Sequence, residues 1–135
     1  MKIRTDFVTN SSSSSFILGF KDESDIQSSL EQEESLKGGF FDTVLNDCQD
    51  ADKITLSDLL QLVEEEKRWE VEFDADSQEE ADERLQEIVN ETEAKAVNNG
   101  YNVFVSLDYD DDDNPELEQY IMRNLNCCVC AFSYH

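Results

Sequence analysis

Thiols, a single imidazole, a serine run and dense groups of carboxylates are the side chains of this sequence that could do chemistry. Cys127, Cys128 and Cys130 crowd together near the chain end, His135 is the last residue, and Cys48 stands apart. Zinc sites favour paired ligands from two separate knuckles, whereas these candidates share one short apolar segment. Strand alternation over that segment sends Cys128 and Cys130 to one face and Cys127 to the other. That placement suits small buried hydrophobes better than metal ligands. His135 is the only histidine, so a cysteine–histidine catalytic pair would need the chain end in an ordered site. The clustered thiols suit no disulfide framework, and reduced cysteines fit a cytoplasmic protein. Carboxylates abound, but no two are singled out for acid–base work. The chain is expected to be non-enzymatic and to need no cofactor.

The run Asp108-Tyr109-Asp110-Asp111-Asp112-Asp113 invites a calcium reading. An EF-hand loop needs acids at positions 1, 3 and 5, glycine at 6 and glutamate at 12. From Asp108 the acids fit, but Asp113 stands where glycine should and Gln119 where glutamate should. The sharp turn and the bidentate ligand are both missing. What remains is a weak divalent-cation site as one alternative; the preferred reading is a solvated acidic loop or part of a binding surface.

Ser11 to Ser15 offer hydroxyls and backbone N–H groups without bulk. Such a segment could cradle an anion or receive a modification. No lysine or glycine-rich loop accompanies it, as a phosphate site would want. The opening Met1-Lys2-Ile3-Arg4-Thr5-Asp6-Phe7-Val8-Thr9-Asn10-Ser11-Ser12-Ser13-Ser14-Ser15-Phe16 resembles an N-terminal signature shared by small bacterial proteins, chiefly of Firmicutes and their mobile elements. The resemblance covers about residues 1–18, implies a bacterial or phage origin, and is nearly silent about activity. A serine-rich N-terminus acting as an anion-binding or modification site on a small scaffold is the second alternative.

Charge is the dominant property: 33 Asp and Glu against 10 Lys and Arg, a formal net charge of −23. This excludes nucleic-acid binding through phosphate neutralisation and disfavours anionic membranes. It favours fast, salt-dependent association with basic partners. The acid concentrates between Glu64 and Glu93, with 14 carboxylates against Lys67, Arg68 and Arg84. Many charge runs are solvated faces and no more. Rows of carboxylates on rigid elements, however, can stand in for phosphates. The expected partner-binding residues are Glu70, Glu72, Asp74, Glu79, Glu80, Glu83, Glu87 and Asp110, Asp111, Asp112 and Asp113. The expected partner is a basic, nucleic-acid-binding protein. The expected role is an inhibitor that mimics nucleic acid, as phage inhibitors of CRISPR or restriction systems do.

The elements that must position these rows follow from periodicity. Phe16 to Phe20 reads as a buried strand, Tyr101 to Tyr109 as an alternating one, and Cys127 to Tyr134 as an apolar one. Trp69, Val71 and Phe73 alternate with Glu70, Glu72 and Asp74, which predicts a fourth strand with one apolar and one acidic face. Helices are expected over Ile26 to Leu36, after Thr55, after Asn114-Pro115, and from a Ser77–Glu80 capping box through Ala96. The fold class expected is α/β or α+β: one layer of about four strands, mixed or parallel, packed with three to five helices. The length suits a single domain over 1–135, with 1–15 as a flexible arm. No apolar stretch approaches the length of a membrane span.

Overall fold

The computed structural model describes residues 13–110 and 114–134. Its first element, β1 (Ser13–Phe20), carries Phe16, Ile17, Leu18 and Phe20, all fully buried. A strand apolar on both faces must be covered on both faces, and the topology does this. β1 is the central strand of a three-stranded sheet, flanked by β2 (Val103–Asp110) and β3 (Cys128–Tyr134), each antiparallel to it. Phe16 lies opposite Leu107 on one side and Ala131 on the other. Ser13 to Ser15 therefore belong to the sheet and not to a flexible arm; residues 1–12 lie outside the described residues.

One face of the sheet presents Phe16, Leu18, Phe20, Val105, Leu107 and Tyr109. It is covered by α1 (Ile26–Glu31), a 3-10 turn at Glu34–Leu36, α2 (Phe41–Asp50) and a π-helical segment, Leu117–Ile121. Ile26, Leu30, Leu36, Val44 and Leu117 fill that layer. The opposite face presents Ile17, Phe104, Val129 and Phe132 to Leu59 and Val63 of α3 (Leu56–Asp74) and Ala96 of α4 (Gln78–Asn98). The molecule is α+β, a sheet held between two helical layers.

The sheet has three strands, all antiparallel, and not about four mixed or parallel ones. The difference is Trp69 to Asp74, which is the last part of α3. Thr55 and Asp58 form a reciprocal capping box at its start, and no glycine or proline interrupts residues 56–74. The Glu, Lys and Arg residues between are good helix formers. Leu59, Val63 and Val71 recur at helical spacing and are the buried residues of α3. Alternation predicts Trp69, Val71 and Phe73 buried together. Instead Val71 is buried while Trp69 is 40% and Phe73 75% exposed.

A bulge changes a second expectation. Ile17 pairs with Cys130 but Leu18 with Cys128, so Val129 is an extra residue in β3. The parity of side chains flips there. Cys127 and Cys128 join the first core and Cys130 packs against the second, so Cys128 and Cys130 do not share a face.

The expected helix over Ile26 to Leu36 is broken at Glu33, whose backbone is extended. Its buried carboxylate accepts the N–H groups of Asn126 (2.9 Å) and Cys127 (3.1 Å), just ahead of β3. Both outer strands are restrained. Ile54 exchanges two backbone hydrogen bonds with Phe104 of β2. Lys95 and Lys67 donate to the carbonyls of Cys128 (2.6 Å) and Ala131 (3.4 Å) of β3. Lysine side chains that cover an edge strand's carbonyls discourage pairing with other chains.

Gly19 meets the Tyr101 ring across the second face. A Cβ there would stand 2.8 Å from Tyr101 Cγ and 3.0 Å from Val129 Cγ2. Gly19→Ala is expected to lower stability by about 2 kcal/mol through overpacking, as read by urea unfolding. A change under about 0.5 kcal/mol would mean that the ring moves aside freely.

Candidate functional site

The α3–α4 hairpin gathers most of the singled-out acids. A three-residue turn, Ala75 to Ser77, joins its helices. Ser77 Oγ accepts the Glu80 N–H at 3.2 Å, and the Glu80 carboxylate accepts the Asp76 N–H at 2.7 Å. Glu80 is thus partly engaged in holding the turn. Leu85, Ala81 and Ala96 of α4 point inward, which leaves Glu79, Glu83 and Glu87 exposed on the outer side. From Leu56 to Asn98 the hairpin holds fifteen carboxylates against four basic side chains.

Because Trp69 to Asp74 is helical, its acids do not form one row. Glu70 and Asp74 are one turn apart and meet Glu87 across a groove of about 390 Å³, whose walls include Lys67 and Arg84. Glu72 points to the other flank of the hairpin. There Arg68 lies 2.8 Å from Glu64, 3.7 Å from Glu72 and 3.8 Å from Asp82. The remaining pairs are Lys67–Glu70 at 3.7 Å and Arg84–Glu80 at 3.2 Å. Exposed pairs of this kind contribute little to stability. Among the described residues, Asp74, Glu79, Glu83 and Glu87 form no ion pair.

Asp110 does not join this group. It ends β2, at the far end of the strand from Phe104, against which the hairpin packs. Asp111, Asp112 and Asp113 lie outside the described residues. Sequence reasoning passed over Glu64, which a helical reading of α3 would have placed beside Arg68, and Asp82, which only the packing of α4 against α3 brings there. It also assigned Trp69 and Phe73 to a buried face, whereas they stack on the surface with ring centroids 5.5 Å apart.

Three of the basic residues brace the scaffold. Lys53 donates to the carbonyls of Cys48, Gln49 and Ala51 at the end of α2, at 2.8 to 3.0 Å. Lys67 and Lys95 bind β3 as described. Lys53, Lys67 and Lys95 are thus turned toward the protein's own backbone, while Arg68 and Arg84 pair with carboxylates of the hairpin.

The other chemistry-bearing groups are occupied internally. Ser14 is buried and donates to Glu118 at 3.0 Å, with Arg123 donating to Ser14 at 3.4 Å. Ser15 donates to Asp108. These serine hydroxyls face carboxylates, not a space for an anion; Ser11 and Ser12 lie outside the described residues. Among the described residues no group of three or more His, Cys, Asp or Glu is disposed to hold a metal ion, and no helix is long and apolar enough to cross a membrane.

Burial, joined by the Asp47 charge, pushes the Cys48 thiol up to about 12 from its ordinary 9.0. Burial likewise raises Cys128 to about 11 and Cys130 to about 12, and raises Cys127 with help from Glu33. The thiolate is the reactive species. Native protein is therefore expected to react with an aromatic disulfide reagent about 100-fold more slowly than urea-unfolded protein. Rapid titration of one thiol in the native state would contradict this burial. The same shifts set an alkaline limit. Above pH 9 the unfolded thiols release protons that the folded ones keep, so stability present below pH 9 is lost progressively toward pH 12.

Compared with protein-family models, with curated proteins and with solved structures, the chain matches none.

Proposed function

We propose that the protein is a non-enzymatic acidic binding protein that sets its α3–α4 hairpin into the nucleic-acid groove of a basic partner and blocks it. An inhibitor of the anti-CRISPR or anti-restriction type would act in this way. The observation that carries the reading is carboxylate density on a rigid element. At 1.5 Å per residue the 21-residue α4 makes the hairpin ~31 Å long. Its fifteen carboxylates then fall at roughly one per 2 Å of axis, against one phosphate per ~1.7 Å of duplex. The hairpin is braced by the sheet through Leu59, Val63 and Ala96, so the charges are held in place before binding. That preorganisation lowers the ordering cost of association. Solubility alone asks for a net charge of magnitude about 2–8 in a small domain, and this chain carries −23.

The test is capture from a nuclease-treated bacterial lysate at low and high salt, followed by competition with duplex DNA. The expected result is a basic protein retained at low salt, released at high salt, and displaced from this chain by the duplex. Retention of no such protein, or a partner that holds duplex and this chain together, would remove the reading.

A further inference from the structure

The hairpin carries a second surface feature that acid alone does not explain. Trp69 and Phe73 stand one turn apart on α3, stacked at 5.5 Å with an interplanar angle of 27°. They are 40% and 75% exposed. Trp69 has Glu65, Glu66 and Glu72 at its three- and four-residue neighbours, and Phe73 has Glu70. On a helix these positions surround the two rings. An exposed aromatic pair is the usual composition of a binding hot spot and not of a solvated face. A ring of carboxylates around it narrows the chemistry of what can cover it.

We infer that this aromatic pair is the docking point for an arginine-bearing segment of the basic partner. The inference rests on the acidic-docking reading above and names the side chain that reading leaves open. Charge complementarity requires a cation. Arginine is selected over lysine because the planar, weakly hydrated guanidinium stacks on an aromatic face and bonds carboxylates through a two-pronged edge in the same pose. An ammonium ion satisfies the carboxylates but gains less from the rings. A second copy of this chain is disfavoured as the occupant, because it would bring another −23 charges to the contact.

The experiment uses the full chain and oligoarginine and oligolysine peptides of equal length. Trp69 is the only tryptophan, so its emission reports directly on this surface. Oligoarginine is expected to shift or quench that emission and to bind about fivefold more tightly than oligolysine. In Trp69→Ala/Phe73→Ala, followed by anisotropy of labelled peptides, the preference is expected to fall to parity while oligolysine binding is unchanged. Phe73→Ala alone, at the more exposed position, covers the case in which the double variant unfolds, and is expected to lose part of the preference. Equal binding of both peptides with unmoved emission overturns the inference and leaves the acidic reading standing. If neither peptide binds, both fall. A dimer in sedimentation that Phe73→Ala dissolves would make a second copy the occupant and also overturn the inference.

Discussion

Replacing Glu33 by alanine is expected to lower the free energy of unfolding by about 3–4 kcal/mol and the melting temperature by roughly 10 °C. The residue is 4% exposed, and its carboxylate accepts N–H groups from Asn126 and Cys127, more than ninety residues away. Hydrogen bonds to a charged group are among the stronger ones, and truncation removes both acceptors at once. The buried Cys127 N–H is then left without a partner, and the part-buried Asn126 N–H loses its acceptor as well. The damage sits where the chain turns into β3, and β3 shields one side of β1. Glu33→Gln separates charge from geometry. One amide oxygen can still accept, but the amide nitrogen brings a donor against a donor, so a loss of about 1–2 kcal/mol is expected. Urea unfolding with an unchanged slope measures both. If Glu33→Ala costs under about 1 kcal/mol, the carboxylate is not what holds the entry to β3.

Glu33 also shows why some of the fold was legible in sequence and some was not. β1, β2, β3 and α4 could be read from local pattern, because each buries residues whose period is its own. Phe16 to Phe20 is apolar throughout, Val103 to Tyr109 alternates, and α4 repeats Ala81, Leu85 and Ala96 along one stripe. Glu33 broke the helix expected through Leu36 for a reason that lies outside its own segment, in the backbone of Asn126 and Cys127. The end of α3 misled for a related reason. Three aromatic or branched residues at alternate positions imitate a strand even though two of them, Trp69 and Phe73, are exposed. The earlier stripe of Leu59 and Val63, continued to Val71, was the competing signal. The bulge at Val129 cannot be read locally, since it depends on register against β1.

The candidate site was legible as composition and not as arrangement. Counting charges locates the acid between Glu64 and Glu93. Which carboxylates share a surface depends on the angle between successive residues, about 180° in a strand and about 100° in a helix. That angle moves Glu72 away from Glu70 and Asp74 and toward Arg68. Asp74, Glu79, Glu83 and Glu87 remain outside the ion pairs among the described residues, while Glu70, Glu72 and Glu80 are partly neutralised.

These four residues therefore carry the largest functional prediction. The variant Asp74→Asn, Glu79→Gln, Glu83→Gln, Glu87→Gln changes the net charge from −23 to −19. It is expected to weaken binding to the captured basic partner by roughly a thousandfold, at about 1 kcal/mol per charge pair. Its stability should not fall, because none of the four is buried or hydrogen-bonded into the scaffold among the described residues. Relief of like-charge repulsion should instead add a few tenths of a kcal/mol, most visibly at low salt. Opposite signs for binding and stability are the signature of charge kept for function. A purely solvated face predicts no change in binding at all. Total charge must be separated from placement, so the control removes four acids from the other helical layer: Glu23→Gln, Glu31→Gln, Asp42→Asn and Asp50→Asn. These positions are also exposed, and the control chain also carries −19. Long-range attraction alone would make the two variants equal, with a loss in association rate that salt erases. Contact through the hairpin would leave the control within about threefold of the parent and place the thousandfold loss in the dissociation rate of the hairpin variant.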